Sequence, residues 1–305
     1  MGPETTWKNG SEAEAGAGDG ERRPTVVLTG LTIAGFDPSS GAGVTADLQV
    51  FAAHGLFGVS AITSLTMQST LGVAAVQAVD GAWIRRTLEH LTEDLPVAGI
   101  KIGMLGSEAA VRAVAEFLRN LRGRQGVALG MSAVPVVLDP VLRSSSGHEL
   151  LSGPGVEALV AELLPLVGWA TPNWAELAVL SGREVGNLGQ AAEAAAELGR
   201  RYSGLGVVAT GGDAAETVGP VDLLWTAEGG VREFRGAWVE TRATHGTGCA
   251  FSSALLARLV LGDGPVEAVA AAKSYVAEAM RSAPGVGHGR GPLNLLWPLR
   301  RQQGS

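Results

Sequence analysis

The sequence predicts an α/β protein with a central, mainly parallel sheet and helices on both faces of that sheet. Short apolar runs rich in β-branched residues alternate with helical periods from Thr25 onwards, the pattern of a parallel sheet covered by helices. The 305 residues are 46% apolar and include 44 glycines, enough for a large core joined by many tight turns. Ligands of such sheets bind beyond the carboxyl ends of the strands, so the loops that follow the strands are the candidates for function.

Each element is predicted from its local pattern. The strands are the short apolar runs, at 25–35, 58–63, 73–79, 99–105, 134–141, 168–171 and 205–212. The helices are the segments with a helical apolar period, at 44–55, 82–95, 107–121, 173–182, 188–202, 243–262 and 264–283. Residues 221–236 are predicted to form a β-hairpin, because two apolar runs flank a Glu-Gly-Gly turn. We expect residues 25–300 to form one domain and residues 1–24, rich in Gly, Glu and Ala, to be a disordered tail.

Charge and cysteine content argue against several functional classes. The net charge of -7 is the wrong sign for a nucleic-acid-binding surface. No stretch approaches the ~20 consecutive apolar residues of a membrane-spanning helix. Cys249 is the only cysteine, which excludes an internal disulfide and a cysteine-based zinc site and favours a reducing, cytoplasmic location.

Two glycine-rich loops are candidates for ligand binding. The loop "AGFDPSSGAGVTAD", residues 34–47, follows the first strand, although a plain turn could hold as much glycine. The loop "HGTGCAF" places Gly246, Thr247 and Gly248 at the start of an apolar helix, where free N–H groups and the helix dipole favour a phosphate. The same field would lower the pKa of the Cys249 thiol towards the thiolate, although a lone cysteine is often a small buried apolar residue. No Gly-Lys-Ser/Thr follows, so the loop is not a P-loop.

Polar residues at the ends of later strands form a third candidate. Asp139 ends the strand "VVLDPV", and Asn173 and Glu176 begin the helix "NWAEL". Asn173 and Glu176 lie on one helix face, where Glu176 with water could hold magnesium bound to nucleotide phosphates. The alternative is that Asn173 only caps the helix and Glu176 is a surface residue. The turn Gly211-Gly212 could approach a phosphate with its backbone.

The order of these motifs resembles one family. From roughly Thr32 to Leu296 the chain is similar to the hydroxymethylpyrimidine and hydroxymethylpyrimidine-phosphate kinases of thiamine biosynthesis, in the ribokinase-like superfamily. The matching motifs are "TIAGFDPSSGAGVTADLQVFAAHG", "AITSLTMQST", "IKIGML", "VVLDPVLRSSSGHELLS", "TPNWAEL" and "THGTGCAFSSAL". The resemblance implies a ribokinase-like fold, a homodimer, and phosphorylation of 4-amino-5-hydroxymethyl-2-methylpyrimidine and then of its monophosphate, with ATP and Mg2+.

The resemblance also implies roles for individual residues. Asp47 and Gln68 would hydrogen-bond the aminopyrimidine, with Met104 near the ring. The other implied substrate contacts are Gly35 and the backbone of Ala42. Cys249 would be the general base, and the N–H groups of Gly246, Thr247, Gly248 and Cys249 would form an anion hole. The residues implied around the nucleotide phosphates are Asp139, Asn173, Glu176, Thr210, Gly211 and Gly212, with Asp139 and Glu176 holding magnesium directly or through water.

Three positions depart from the family pattern. Relatives usually carry lysine at the position of Thr210, so a cation for the ATP phosphates is absent unless Arg143 or Lys101 replaces it. Phe36 stands where a small Ser or Thr is usual and would narrow the pocket or pack against it. Ser69 stands where Asn is common, which is a milder change.

Two other functions remain open at this stage. A pyridoxal or pyridoxine kinase is possible because some relatives with the same GTGC loop phosphorylate vitamin B6. Gln68 favours the pyrimidine, since an amide can pair with an amino group and a ring nitrogen together. A pyrimidine-binding regulatory protein without catalysis is suggested by Thr210, whereas Cys249, Asp139 and Glu176 argue against it. A sugar kinase is less consistent, since those enzymes usually carry Asp where Cys249 stands.

Overall fold

The described strands form one mixed sheet. The computed structural model describes residues 27–125, 134–144, 147–212 and 219–301, so the predicted tail at 1–24 lies outside the described residues. The strands are Thr29–Phe36 (β1), Phe57–Ser69 (β2), Gly72–Ala78 (β3), Val97–Ile102 (β4), Val136–Leu138 (β5), Trp169–Ala170 (β6), Gly206–Ala209 (β7), Val221–Thr226 (β8) and Gly230–Arg235 (β9). Their order across the sheet is β3-β2-β1-β4-β5-β6-β7-β8-β9.

Helices follow most of the parallel strands. They are Gly43–Ala53 (α1), Gly81–Asp94 (α2), Glu108–Gln125 (α3), Gly153–Ala158 (α4), Trp174–Ser181 (α5), Leu188–Arg201 (α6), Thr247–Val260 (α7), Pro265–Arg281 (α8) and Trp297–Arg301 (α9). A π-helical turn and a 3-10 turn, Leu159–Leu163 and Leu164–Leu166, continue α4. Among the described residues, no helix is long and apolar enough to cross a membrane.

The predicted mainly parallel sheet is confirmed. The central strands β2, β1, β4, β5, β6 and β7 pair in parallel, and among the described strands only β3, β8 and β9 at the two edges pair antiparallel with a neighbour. The predicted hairpin at 221–236 is β8 and β9. The second strand is longer than predicted, because its end carries polar residues that interrupt the apolar run while its backbone continues to pair with β3.

Apolar cores on both faces of the sheet fix its position between two helical layers. Alternate residues of β5 point to opposite sides, with Val136 and Leu138 in one core and Val137 in the other. Helices α2, α3, α5 and α6 cover the first core, and α1, α7 and α8 cover the second. The strands are therefore buried on both faces, and their carboxyl ends are left as the edge on which a site can form.

Candidate active site

A cleft of ≈ 1540 Å³ opens at the carboxyl ends of the parallel strands. Binding pockets for one small molecule usually measure about 300–1000 Å³, so this cleft has room for two ligands side by side. The predicted residues that line it are Gly35, Ala42, Gln68, Met104, Asp139, Asn173, Glu176, Thr210, Gly212, Gly246, Thr247, Gly248 and Cys249. The fold thus brings together loops that are far apart in the sequence. Of the predicted site residues, Asp47 and Gly211 do not line the cleft.

The GTGC loop forms the amino-terminal end of α7, as predicted. Gly246 is the N-cap residue, with a positive φ of 83°, and a Cβ at this position would overlap the carbonyl oxygen of Gly41. Only glycine fits a backbone that is both left-handed and pressed against another loop. The N–H of Ala250 makes the first intrahelical bond, to Gly246 O at 2.8 Å. The N–H groups of Thr247, Gly248 and Cys249 precede that bond and have no acceptor within the helix, so they can receive an anion.

The thiol of Cys249 lies between a carboxylate and a backbone amide. Asp139 Oδ2 accepts from Ser252 Oγ, in the same helix as Cys249, at 3.3 Å, and the Asp139 carboxylate and the N–H of Gly43 lie near enough to the sulfur to affect its pKa. Burial raises the pKa of Cys249 to about 12, against the opposing effect of Lys101. Burial also raises the pKa of Asp139, to about 6. The prediction that the helix field would produce a thiolate is therefore wrong for this state of the protein, because desolvation of the sulfur outweighs it.

Asp47 does not reach the cleft, which corrects its predicted contact with the aminopyrimidine. Its side chain is fully buried and pairs with the Lys101 ammonium at 2.9 Å. Thr32 Oγ1 and Ser253 Oγ also donate to this carboxylate, at 2.6 and 2.7 Å. Because α1 turns Asp47 inwards between β1, β4 and α7, its oxygens are already occupied by protein donors.

Lys101 belongs to the same buried network. Its side chain is 0% exposed, and both Asp47 oxygens lie within 3.0 Å of Nζ. Burial disfavours the ammonium, but Asp47 more than compensates and raises the pKa of Lys101. Lys101 therefore does not supply the cation that Thr210 lacks, whereas the exposed side chain of Arg143 lines the cleft.

Asn173 and Glu176 form a capping box at the start of α5. Asn173 Oδ1 accepts from the N–H of Glu176 at 2.9 Å, and Glu176 Oε2 accepts from the N–H of Asn173 at 3.0 Å. The capping interpretation of Asn173 is thus correct, but Glu176 is buried rather than on the surface. Both residues still line the cleft.

The carboxylates near the cleft do not form a complete metal cage. Within the described ranges, no group of three or more His, Cys, Asp or Glu side chains could hold a metal ion. Asp139 and Glu176 both line the cleft. Mg2+ usually binds through one or two carboxylates together with water and substrate phosphates, and this donor set fits that mode.

The turn after β7 differs from its predicted role at one residue. The N–H of Gly211 donates to Asp222 Oδ1 at 3.0 Å, and a Cβ at Gly211 would overlap the carbonyl oxygen of Val221. Close packing against β8, rather than a phosphate, thus explains this glycine, and its predicted phosphate contact is corrected. Thr210 and Gly212 lie on the cleft wall. Asp222 in turn accepts from Lys273 Nζ at 2.7 Å, so α8 places a cation beside Thr210's turn.

Sequence reasoning missed two polar residues on the wall, Asp37 and His245. Asp37 Oδ2 lies 2.7 Å from His245 Nε2, and the two residues are 208 positions apart. The amide of Gln68 is 3.0 Å from the same imidazole nitrogen. Both residues belong to the glycine-rich motifs, Asp37 in "FDPSS" and His245 in "THGTGC". An ionisable side chain inside a glycine-rich loop is the sequence feature that could have identified them.

Comparison with known proteins agrees with this geometry. A family model described as "Phosphomethylpyrimidine kinase" matches residues 37–294. A hydroxymethylpyrimidine/phosphomethylpyrimidine kinase of Rhizobium meliloti is 39% identical over 268 residues, covering 87% of this chain and 95% of its own.

Solved structures show the same likeness. The ADP complex of Bacillus subtilis pyridoxal kinase superposes with a TM-score of 0.78 at 29% identity, covering 90% of this chain and 99% of its own. The phosphomethylpyrimidine kinase of Clostridium difficile has a TM-score of 0.70 at 32% identity, covering 83% of this chain and 99% of its own. These likenesses confirm the ribokinase-like fold that the sequence resemblance implied. The chain belongs to the phosphomethylpyrimidine kinase family.

Proposed function

We propose that this protein transfers the γ-phosphoryl group of ATP to the hydroxymethyl group of 4-amino-5-hydroxymethyl-2-methylpyrimidine, and then phosphorylates the monophosphate to the diphosphate. The observation that carries the proposal is the position of Cys249, which lines the cleft beside Asp139 and lies at the amino-terminal end of α7. A proton acceptor and an anion site thus meet in a cleft large enough for a nucleotide and a second molecule.

Cys249 and Asp139 act together on the substrate proton. The substrate oxygen attacks the γ-phosphorus, a new O–P bond forms, and the bond between that phosphorus and the ADP oxygen breaks. The hydroxyl proton passes to the sulfur of Cys249 while the thiol proton passes to Asp139, so the net acceptor is the carboxylate. This route suits a thiol that is protonated at neutral pH beside an acid with a pKa of about 6.

The first turn of α7 stabilises the transferred group. The N–H groups of Gly246 to Cys249 are fixed before substrate binds, because the Gly246 backbone packs against the first loop. Fixed amides stabilise the charge that develops on the phosphoryl oxygens without reorganisation. We propose that Asp139 and Glu176 hold Mg2+ through water, which leaves the Asp139 carboxylate without a direct metal bond and able to accept the proton, and that the ion would neutralise phosphate charge.

Two cations on the cleft wall compensate for Thr210. Arg143 and Lys273 both line the cleft, and Lys273 is anchored to Asp222. We propose that these two side chains attract the nucleotide phosphates in place of the lysine that relatives carry at position 210. Asn173, Thr210 and Gly212 complete this end of the cleft.

The opposite end of the cleft receives the pyrimidine. Gln68, Met104, Gly35 and Ala42 line it, and Phe36 forms part of the same wall. Gln68 presents an amide, which can donate to a ring nitrogen and accept from an amino group. Pyridoxal kinase activity is the second candidate, because the Bacillus subtilis pyridoxal kinase shares this fold closely. Pyridoxine has no amino group for Gln68, so we rank the pyrimidine first.

A product assay separates these candidates. The protein is incubated with ATP, Mg2+ and either hydroxymethylpyrimidine or pyridoxine, and mono- and diphosphate products are separated by chromatography. We expect pyrimidine monophosphate first and diphosphate later. Faster phosphorylation of pyridoxine would favour the second candidate, and binding of the pyrimidine without ATP consumption would indicate a regulatory protein.

We also propose a homodimer in the cytoplasm. The hairpin of β2 and β3 at the sheet edge exposes Leu65, Met67 and Leu71, with Met67 68% and Leu71 75% exposed. An exposed apolar edge of this kind favours contact with a second copy. Light scattering coupled to size-exclusion chromatography measures the mass directly, and a mass of one chain would contradict the dimer. The cytoplasmic location rests on the use of ATP and on the single cysteine.

A further inference from the structure

The side chains of Asp37, His245 and Gln68 form a connected group at the pyrimidine end of the cleft. His245 Nε2 lies 2.7 Å from Asp37 Oδ2 and 3.0 Å from the Gln68 amide group. The imidazole packs against Gly41, and its residue precedes the anion-hole loop directly. His245 therefore contacts the first glycine-rich loop, residues 34–47, and the end of β2. It also directly precedes the GTGC loop, the proposed anion hole.

Asp37 determines which nitrogen of His245 carries a proton. Asp37 Oδ1 accepts from the N–H and Oγ of Ser39, and Oδ2 accepts from the N–H of Ala42 at 3.0 Å. Burial alone would raise the pKa of Asp37, but hydrogen bonds from His245 and Ser39 outweigh it and hold the pKa below its ordinary value. An ionised carboxylate only accepts, so the imidazole nitrogen facing it must donate. His245 therefore carries a proton on Nε2, whether its ring is neutral or charged.

That proton in turn determines the orientation of the Gln68 amide. An NH2 group of Gln68 facing a protonated Nε2 would set two donors against each other at 3.0 Å. The amide oxygen, by contrast, can share the single Nε2–H with Asp37 Oδ2 in a three-centre hydrogen bond, and the NH2 group then faces Thr66 Oγ1 at 3.2 Å. Thr66 can accept it, because its own hydroxyl proton is donated to Phe36 O at 2.9 Å. Every donor in this arrangement meets an acceptor.

We propose that Asp37 and His245 are positioning residues that lock the Gln68 amide in one orientation and thereby select an aminopyrimidine over a pyridine alcohol. This inference rests on the proposed function, in which Gln68 contacts the pyrimidine. After its bonds to His245 and Thr66, the amide keeps one N–H and one oxygen lone pair for a ligand. An adjacent ring nitrogen and amino group match that donor and acceptor in one order only. A freely rotating amide would lose this selection.

The test compares substrate preference in His245 variants of the whole protein. His245→Leu removes the donor and keeps the bulk, whereas His245→Gln restores an N–H near the position of Nε2. We expect His245→Leu to lower the ratio of kcat/KM for hydroxymethylpyrimidine to that for pyridoxine by about tenfold, the effect of one mispaired hydrogen bond. The loss should fall on KM for the pyrimidine, with kcat within about threefold, and His245→Gln should recover most of it.

Matched variants separate positioning from damage to the fold. Thr66→Val removes the other partner of the amide and should shift the ratio in the same direction, with Thr66→Ser restoring it. His90 is exposed on α2, and His90→Leu should leave the ratio unchanged. Thermal unfolding of each variant shows whether it is folded, and Thr66→Val provides the result if His245→Leu does not fold.

Nitrogen-15 NMR of histidine-labelled protein reports the tautomer without any turnover. The His245 resonances are assigned as those that disappear in His245→Gln. We expect these resonances to show a proton on Nε2. An unprotonated Nε2, or an unchanged substrate ratio in both His245→Leu and Thr66→Val, would overturn the inference. Wild-type protein that does not phosphorylate hydroxymethylpyrimidine would instead overturn the proposed function, and the NMR result would still stand by itself.

Discussion

The thiol of Cys249 lies beside the carboxylate of Asp139, so the one cysteine of the chain is next to the acid that follows β5. Burial raises both pKa values, that of Cys249 to about 12 and that of Asp139 to about 6. At neutral pH the pair therefore holds its proton on sulfur and its charge on the carboxylate. This arrangement makes Asp139 as important to the proposed reaction as Cys249.

Replacement of Cys249 tests the first step of the proton path. Cys249→Ala removes the relay atom and should lower kcat by about 100-fold or more, in the range that a general base contributes. Cys249→Ser keeps a hydroxyl that is harder to deprotonate than a thiol, so we expect a smaller loss, about tenfold or more. KM for the pyrimidine should change little in either variant. Steady-state kinetics with wild-type turnover in Cys249→Ala would show that Cys249 has no part in proton transfer.

The pKa of Asp139 predicts the acid limb of the pH profile. The carboxylate accepts a proton only when ionised, so kcat/KM for hydroxymethylpyrimidine should rise with pH up to about pH 6 and level off above it. Asp139→Asn should abolish this limb and lower kcat by about 100-fold. The profile is measured from acid to neutral pH at saturating ATP. Glu93→Gln on the surface of α2 is the control, and a limb that persists in Asp139→Asn would assign it to another group.

The ion pair of Lys101 and Asp47 predicts a large stability effect. Lys101→Met leaves the Asp47 carboxylate buried and without its counter-charge, which should lower the free energy of unfolding by about 3–5 kcal/mol. Adding Asp47→Asn should recover part of that loss, because the uncompensated charge is gone. Urea unfolding measures the single variant, the double variant and the wild type. Arg183→Met, which breaks an exposed pair with Glu197, should lower the free energy of unfolding much less, because solvent screens exposed charges, and an equal loss at both sites would contradict the argument.

A lysine at position 210 should strengthen nucleotide binding. Thr210 lines the cleft beside Gly212, so Thr210→Lys places an ammonium where relatives of the family usually carry one. We expect KM for ATP to fall by about three- to tenfold, because charge-assisted hydrogen bonds to phosphate are stronger than neutral ones. Thr210→Met adds similar bulk without charge and should not lower KM for ATP. An equal fall in both variants would assign the effect to packing.

Lys273 should matter for the nucleotide and not for the pyrimidine. Lys273→Met removes a cation from the cleft and leaves Asp222 without its partner, so KM for ATP should rise by about tenfold. KM for hydroxymethylpyrimidine should stay within about twofold, since Lys273 lies at the other end of the cleft from Gln68. Lys273→Arg should restore part of the nucleotide binding. A loss of thermal stability with unchanged KM for ATP would limit Lys273 to a structural role.

The structure also explains why some sequence predictions of site residues were wrong. The motif around Asp47 resembles the family, but no pattern in the sequence states that α1 turns this side chain towards Lys101, 54 positions away. Gly211 is likewise explained by the approach of Val221 O from an adjacent strand. The pKa of Cys249 depends on how deeply the fold buries the sulfur. The local helix dipole does not determine that depth, so the sequence motif could not predict the direction of the shift.

The sequence by itself determined the architecture and the family. Apolar periods of about 2 and 3.6 residues set the strands and helices, because each element must bury one side, and the alternation of the two elements implied a parallel sheet. The ordered motifs placed Asp139 at the end of a strand and Cys249 behind a glycine loop at the start of a helix. Only the tertiary structure decided which polar groups meet, since contacts such as that of Asp37 with His245 join residues 208 positions apart. Hydrogen bonds and desolvation act over a few ångströms, so proton positions and pKa values follow from folded distances and not from order along the chain.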